Sequence, residues 1–260
     1  MSANVIERPA RIVVVRGGDC PASQRADGIG SSRPGRPSRG ASTSLSERGK
    51  AQADAAASWL AANEPDFDAV FVSPWTRAAE TLDRVLAAQP PNEQHRLVAQ
   101  CRVDERLRDR DLGITAAMDY WEIAAKYPDE VRRLALDGPY YYRPVGGESW
   151  ADVSLRCFSI LNTMFRDRAE QRVLVVTHGI VALSLRKILE RLDDKQVIRL
   201  AREAPPAPGS ITRYEPLPRQ AEAGRMSTVD WAIVPYGPEL ASPDAGVEQV
   251  EPVLEPMDTN

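Results

Sequence analysis

The chain has 260 residues, with 33 Lys and Arg against 37 Asp and Glu, and a formal net charge of −4. That length fits one large α/β domain or two small ones, and the acidic balance excludes a strongly basic nucleic-acid binder as the first reading, because the net field repels phosphate polymers. Cys20, Cys101 and Cys157 form no CxxC pair, His95 and His178 are too few for a multi-histidine metal centre, no apolar run approaches the roughly 18–20 residues of a membrane span, and the opening MSANVIERPA holds no signal h-region, so a soluble, reduced, cytoplasmic protein is expected.

Arg11–Arg16 (RIVVVR) is a short β-branched run ended by Gly17-Gly18, and it reads as a buried strand entering a tight turn. Residues 19–44 are rich in Gly, Ser, Pro and Arg without a hydrophobic period, the mark of a functional or mobile loop. Arg25, Arg33, Arg36 and Arg39 within it read either as a solvated stretch or as a flap over an anionic ligand. From Leu45 the text turns helical, with Ala53, Ala56, Ala57 and Leu60 on one face. A second strand, Ala69–Val72, stops at Ser73-Pro74, and a helix continues from Thr76 through Leu86. A third β-like stretch at Leu97–Val103 leads to the polar loop Leu107-Arg-Asp-Arg-Asp-Leu-Gly113. Residues 118–136 read as helix, 140–147 as loop, and Glu148 to about Arg168 as an amphipathic helix. Val173–Thr177 is the clearest strand, stopped by His178-Gly179 before a helix to about Leu192. Weaker strands near Ile211–Tyr214 and Val229–Val234 complete a domain expected over residues 8–236. The remainder, 237–260, has four prolines, six acids and no base, and reads as a disordered acidic tail.

Strands alternating with helices at these lengths imply a three-layer α/β/α sandwich with a mostly parallel central sheet. Ligands of such sheets bind at the carboxyl ends of the strands, where Arg16, Ser73 and His178 would emerge. Two arginines and a histidine over helix N-termini would make a phosphate or sulfate pocket. Each segment alone reads first as a strand ending in a solvated turn, and only their order and spacing together favour the pocket. Tyr140, Tyr141 and Tyr142, with Trp121 and Trp150, suit either an aromatic ligand pocket or core packing. Gly49-Lys50 lacks the glycine spacing of a phosphate-binding P-loop, and there is no Gly-x-Ser-x-Gly elbow.

Five further matches in order give these segments a sharper meaning. Leu45-Ser-Glu-Arg-Gly49-Lys-Ala-Gln52-Ala53, Ser73-Pro74-Trp-Thr-Arg77-Ala78-Ala-Glu-Thr81, Leu107-Arg-Asp109-Arg-Asp-Leu-Gly113, Gly146-Gly147-Glu148-Ser149 with Arg156, and Val175-Val176-Thr177-His178-Gly179 resemble motifs of the histidine phosphatase (phosphoglycerate mutase-like) superfamily from Arg11 to Tyr214. The resemblance implies a covalent phosphohistidine route, in which a first-motif histidine attacks phosphorus and a carboxylic acid protonates the leaving oxygen. It assigns Arg16 and Arg77 as phosphate clamps, His178 as the second-histidine ligand of the phosphoryl group, and Asp109 as the acid/base. Glu148 and Arg143 fall on the substrate side of the pocket. No metal or cofactor is implied, and the ligand would be a small phosphorylated metabolite or a phosphorylated partner, without nucleic acid or membrane. The oligomeric state is unread, a dimer being compatible.

Two positions depart from that pattern. The family opens with Arg-His-Gly, whereas this chain has Arg16-Gly17-Gly18, and glycine cannot carry a phosphoryl group. Losing a nucleophile that acts within a unit costs on the order of 10⁴–10⁶ in turnover, roughly 6–8 kcal/mol. Asp109 is one methylene shorter than the usual glutamate, which shifts its carboxyl by about 1.5 Å, a displacement that matters for proton transfer. The expectation is therefore a pseudoenzyme that retains anion binding. The alternatives are an active phosphomonoesterase using water, His178 or Cys20 as nucleophile, a pocket repurposed for non-phosphoryl chemistry, or an inactivated form of an active enzyme.

Overall fold

Residues alternate along β1 (Arg11–Arg16), so that Ile12 and Val14 face one side of a sheet while Val13 and Val15 face the other, and all four are buried. Two-sided burial of this kind is what a continuous β-branched run encodes. The computed structural model describes residues 8–21, 40–64, 66–116, 118–216 and 226–241. Arg25, Arg33, Arg36 and Arg39, like residues 242–260 of the acidic tail, lie outside the described residues.

β1, β2 (Ala69–Val72), β3 (Cys101–Val103), β4 (Arg172–Thr177), β5 (Ile211–Pro216) and β6 (Met226–Ile233) form one sheet in the order β3-β2-β4-β1-β5-β6. The β1–β4, β4–β2 and β2–β3 pairs are parallel, and β5 and β6 add an antiparallel edge. On one face, α1 (Glu47–Asn63), α2 (Thr76–Ala87) and α3 (Pro91–Ala99) bring Ala56, Leu60, Leu82, Val85 and Leu97 against Val13, Val15, Val70 and Val72. On the other, α6 (Trp150–Asp167), α7 (Gly179–Glu190) and α8 (Asp194–Glu203) cover Ile12, Val14, Phe71, Val173 and Val175. The three-layer sandwich expected from the sequence is the architecture found.

Three local readings change. Leu97–Val103 is not one strand: Pro91 begins α3, which runs to Ala99 and turns Leu97 into the core, leaving Cys101–Val103 to the sheet. Residues 118–136 are not one helix, because Pro128 separates α4 (Tyr120–Lys126) from α5 (Pro128–Tyr141). An Asp119/Glu122 capping box starts α4. Tyr140 and Tyr141 close α5 rather than opening a loop, and Tyr140 packs on Trp150 with ring centroids 5.7 Å apart. Past the domain end expected at 236, Pro238–Leu240 form a 3-10 turn whose Leu240 carbonyl accepts from Gln52 Nε2 at 2.7 Å. Among the described residues, no helix is long and apolar enough to cross a membrane.

The parallel register sets Arg16 beside Thr177 and Val72 beside Val176. Three strands therefore release the chain at one rim, at Gly17, Ser73 and His178.

Candidate active site

The turn after β1 is held by the backbone of its neighbours. Gly17 N donates to the Thr177 carbonyl at 2.8 Å, and Gly18 N donates to Thr81 Oγ1 at 3.1 Å, whose own hydroxyl donates to the Arg77 carbonyl at 2.7 Å. The turn then presses on the start of α1. A Cβ on Gly18 would lie 2.3 Å from the Gly49 carbonyl oxygen, and a Cβ on Gly49 1.9 Å from that of Asp19. Both motif glycines are needed for this close approach. Asp19 is buried and accepts from Ser46 Oγ at 3.1 Å and Arg48 Nη2 at 2.8 Å, while its N–H donates to Gln52 Oε1 at 2.9 Å. Position 17 is different. A Cβ there would meet the Thr177 and Arg77 carbonyls at 3.5 and 3.7 Å and Thr81 Oγ1 at 3.7 Å, all ordinary contacts.

Charged groups gather at this rim of the sheet. Arg16 donates through Nη1 to the Pro206 carbonyl. Arg77, in the first turn of α2, is nearly buried. It stacks its guanidinium 4.4 Å from the Trp75 ring centre and donates through Nη2 to Asp109 Oδ2 at 2.6 Å. Its Nη1 is buried without a partner among the described residues. His178 precedes α7, lies 5.3 Å edge-on from Trp75, shares a hydrogen bond of 2.7 Å between Nε2 and Ser73 Oγ, and faces Asp109 Oδ2 with Nδ1 at 3.7 Å.

The electrostatics follow from this crowding. Burial pushes the His178 imidazolium down to about 3; Asp109 opposes that shift, and Arg77 and Arg16 reinforce it. His178 is thus neutral near pH 7. Burial alone would raise Asp109, but His178 and Arg77 beside it hold its carboxyl at about 2. Because His178 is neutral at the relevant pH, Arg77 is the charge that sustains the carboxylate. The arrangement offers guanidinium and imidazole donors to an anion, with a carboxylate alongside them. Among the described residues, no group of three or more His, Cys, Asp or Glu side chains is placed to hold a metal ion.

The family model of the histidine phosphatase superfamily (branch 1) matches residues 14–227, most of the chain. The chain belongs to that superfamily. A 2,3-bisphosphoglycerate-dependent phosphoglycerate mutase of Sinorhizobium fredii is 34% identical over 161 residues, which is 60% of this chain and 72% of the relative. The corresponding mutase of Methylobacterium radiotolerans is 33% identical over 156 residues, 59% and 70% of the two chains. Among solved structures, a mycobacterial glucosyl-3-phosphoglycerate phosphatase superposes with a TM-score of 0.63 at 26% identity, covering 86% of this chain and 98% of its own. A mycobacterial hydrolase superposes at 0.66 with 25% identity, covering 87% and 100%.

Of the residues the superfamily motifs single out, Arg77, Asp109 and His178 meet directly, with Gly17 and Arg16 at the adjoining strand end. Glu148 and Arg143 do not join them. Glu148 accepts from Arg108 Nη2 at 2.7 Å, Arg156 Nε at 3.0 Å and Asp111 N at 3.1 Å, and Arg156 also donates to the Asp109 carbonyl at 3.2 Å. Its carboxylate is a clasp on the loop that carries Asp109. Arg143 is exposed and pairs with Asp152 in the first turn of α6, with Nε donating at 2.8 Å. The aromatic residues divide as well: Tyr140, Tyr142 and Trp150 are buried, and Tyr141 and Trp121 are exposed. Sequence reasoning gave Trp75 and Ser73 no separate role. The Ser-Pro-x-x-Arg motif signals the hydroxyl at the strand end, whereas Trp75 falls on one of its unspecified positions, two residues before the arginine.

Proposed function

We propose that this protein binds a phosphate ester through Arg16, Arg77 and His178, and that its phosphohistidine chemistry is impaired because Gly17 occupies the place of the attacking imidazole. One observation carries the reading: Arg77 and His178 bring guanidinium and imidazole nitrogens together around Asp109 Oδ2, Arg77 keeps a buried Nη1 without a partner among the described residues, and the adjoining strand end carries a glycine in place of a side chain. Buried donors without partners are rare, and an anion oxygen would satisfy this one. The ligand in this reading is a small phosphorylated metabolite or a phosphorylated partner, in line with relatives whose names specify phosphoglycerates. The cytoplasm is its proposed location. A substitute nucleophile is disfavoured by the surroundings: both ring nitrogens of His178 face other groups, and Cys20 is only 5% exposed.

Calorimetric titration with inorganic phosphate and hydrolysis of p-nitrophenyl phosphate test the two halves. The protein as it stands should bind phosphate without turning the ester over. Arg77→Ala should abolish binding, and Gly17→His should raise turnover by about 10⁴ or more. Turnover of about ten per second by the unmodified protein, a typical enzyme value, would remove the impairment. Phosphate affinity indifferent to Arg77→Ala would remove the pocket.

A further inference from the structure

The hydrogen-bond accounting around Ser73 leads beyond the motif roles. Ser73 is fully buried, and its Oγ has two neighbours: it accepts from Trp75 N at 3.3 Å and lies 2.7 Å from His178 Nε2. The bond to the imidazole can run in either direction, and the direction decides which ring nitrogen carries the proton. If Nε2–H donated, Oγ would accept twice, and its own proton would be buried without an acceptor, an expensive arrangement. In that tautomer Nδ1 would also turn a lone pair towards the Asp109 carboxylate at 3.7 Å. Reversing the bond resolves both problems. The Ser73 proton goes to Nε2, and the Nδ1 proton faces Asp109.

We infer that Ser73 is a positioning residue: its hydroxyl donates to His178 Nε2 and thereby fixes the neutral imidazole as an Nδ1–H donor aimed into the anion pocket. Burial, which keeps His178 neutral, makes the distinction matter, since an imidazolium would donate from both nitrogens without help. The use of that donor by a phosphoryl oxygen rests on the phosphate-binding reading above; the tautomer does not. The same residues occur in the chain order Ser73, Asp109, His178 found in α/β-hydrolase triads. Here the serine is fully buried and the histidine is a weak base, which suits orientation of the ring rather than nucleophilic attack.

The chain has two histidines, so long-range proton–nitrogen correlation spectra of protein labelled with ¹⁵N-histidine resolve both, and His95→Gln assigns them. In ligand-free protein at pH 7, His178 is expected to show a protonated Nδ1 and a bare Nε2, unchanged in form from pH 5 to 8. An Nε2–H tautomer or an imidazolium would overturn the inference. Ser73→Ala is expected to mix the two neutral tautomers and to weaken inorganic phosphate binding about tenfold. A single unchanged tautomer in that variant would show that Ser73 does not set it. Labelling of Ser73 by a phosphonofluoridate, detected by mass spectrometry, would show a nucleophile instead. Should Nδ1–H be found while phosphate fails to bind, the positioning of the ring stands and the proposed function falls.

Discussion

Asp109→Asn takes a charge out of the pocket while keeping the shape of the side chain. Asp109 Oδ2 stands 2.6 Å from Arg77 Nη2 and 3.7 Å from His178 Nδ1, on donors that a phosphoryl oxygen would use. Against the opposing effect of burial, the groups beside it hold the carboxyl at about 2 against an ordinary 3.8, and near pH 7, with His178 neutral, Arg77 supplies the charge. At about 1.4 kcal/mol per unit the whole depression is on the order of 2 kcal/mol, of which the share due to Arg77, on the order of 1 kcal/mol, acts near pH 7. A phosphate dianion must displace that carboxylate or protonate it. Asparagine presents no such competitor, so inorganic phosphate should bind the variant about tenfold more tightly at pH 8, as read by calorimetry. Binding to the unmodified protein should take up protons, making its heat depend on the buffer's ionisation enthalpy; binding to the variant should not. Stability should move the other way. A depressed folded pKa stabilises above the unfolded value near 4 and fades as pH falls towards 2. The variant should therefore be less stable at pH 7 by about 1 kcal/mol, and the gap should close in acid. Weaker phosphate binding by Asp109→Asn would refute this reasoning, because the carboxylate would then be an aid rather than a rival.

The neighbouring glycines should respond in opposite ways. Gly18→Ala drives a methyl to 2.3 Å from the Gly49 carbonyl and should cost about 3 kcal/mol or more of stability by chemical denaturation, whereas Gly17→Ala meets only ordinary contacts and should change it by less than about 1 kcal/mol. Equal losses would show that the two positions are not distinguished by packing. Glu148→Ala leaves Arg156, itself nearly buried, without its carboxylate. It should destabilise the protein by about 3 kcal/mol and loosen the Asp109 loop, measured as faster amide exchange at residues 108–111. Unchanged exchange there would return Glu148 to the substrate side of the pocket.

The sheet was legible because its strands are buried on both faces, so β-branched runs such as Arg11–Arg16 and Val173–Thr177 announce themselves and their ends locate the rim. The meeting of Arg77 and His178 was legible for the same reason, since both follow strand ends at fixed spacing. What escaped was local. Pro91 supplies the first turn of α3, and nothing in residues 97–103 separates a core-facing helical leucine from a strand leucine. Glu148 and Arg143 sit near motif glycines, yet whether a carboxylate or guanidinium points into a pocket depends on partners such as Arg108, Arg156 and Asp152, which no linear spacing specifies. The bond between Ser73 and His178 joins residues 105 apart. Only the level register of β2 and β4 brings them together.

The same geometry explains why the proposed anion site does not depend on a side chain at position 17 for its shape. Several of the groups around the pocket also serve the fold. Thr81 caps Gly18 and holds the Arg77 carbonyl, Thr177 Oγ1 donates to the Leu107 carbonyl at 2.8 Å to anchor the loop leading to Asp109, and Gln52 ties Asp19 to Leu240. Removing any of them leaves a buried polar group unpaired, at about 1–3 kcal/mol each, a large share of a typical domain's net stability. The side chain of residue 17 has no such second duty, because its backbone N–H makes the bond to Thr177 and the space at its Cβ is bounded only by ordinary contacts. Chemistry at that position can therefore be lost or restored with little consequence for folding, whereas the surrounding donors are held in place by the fold itself.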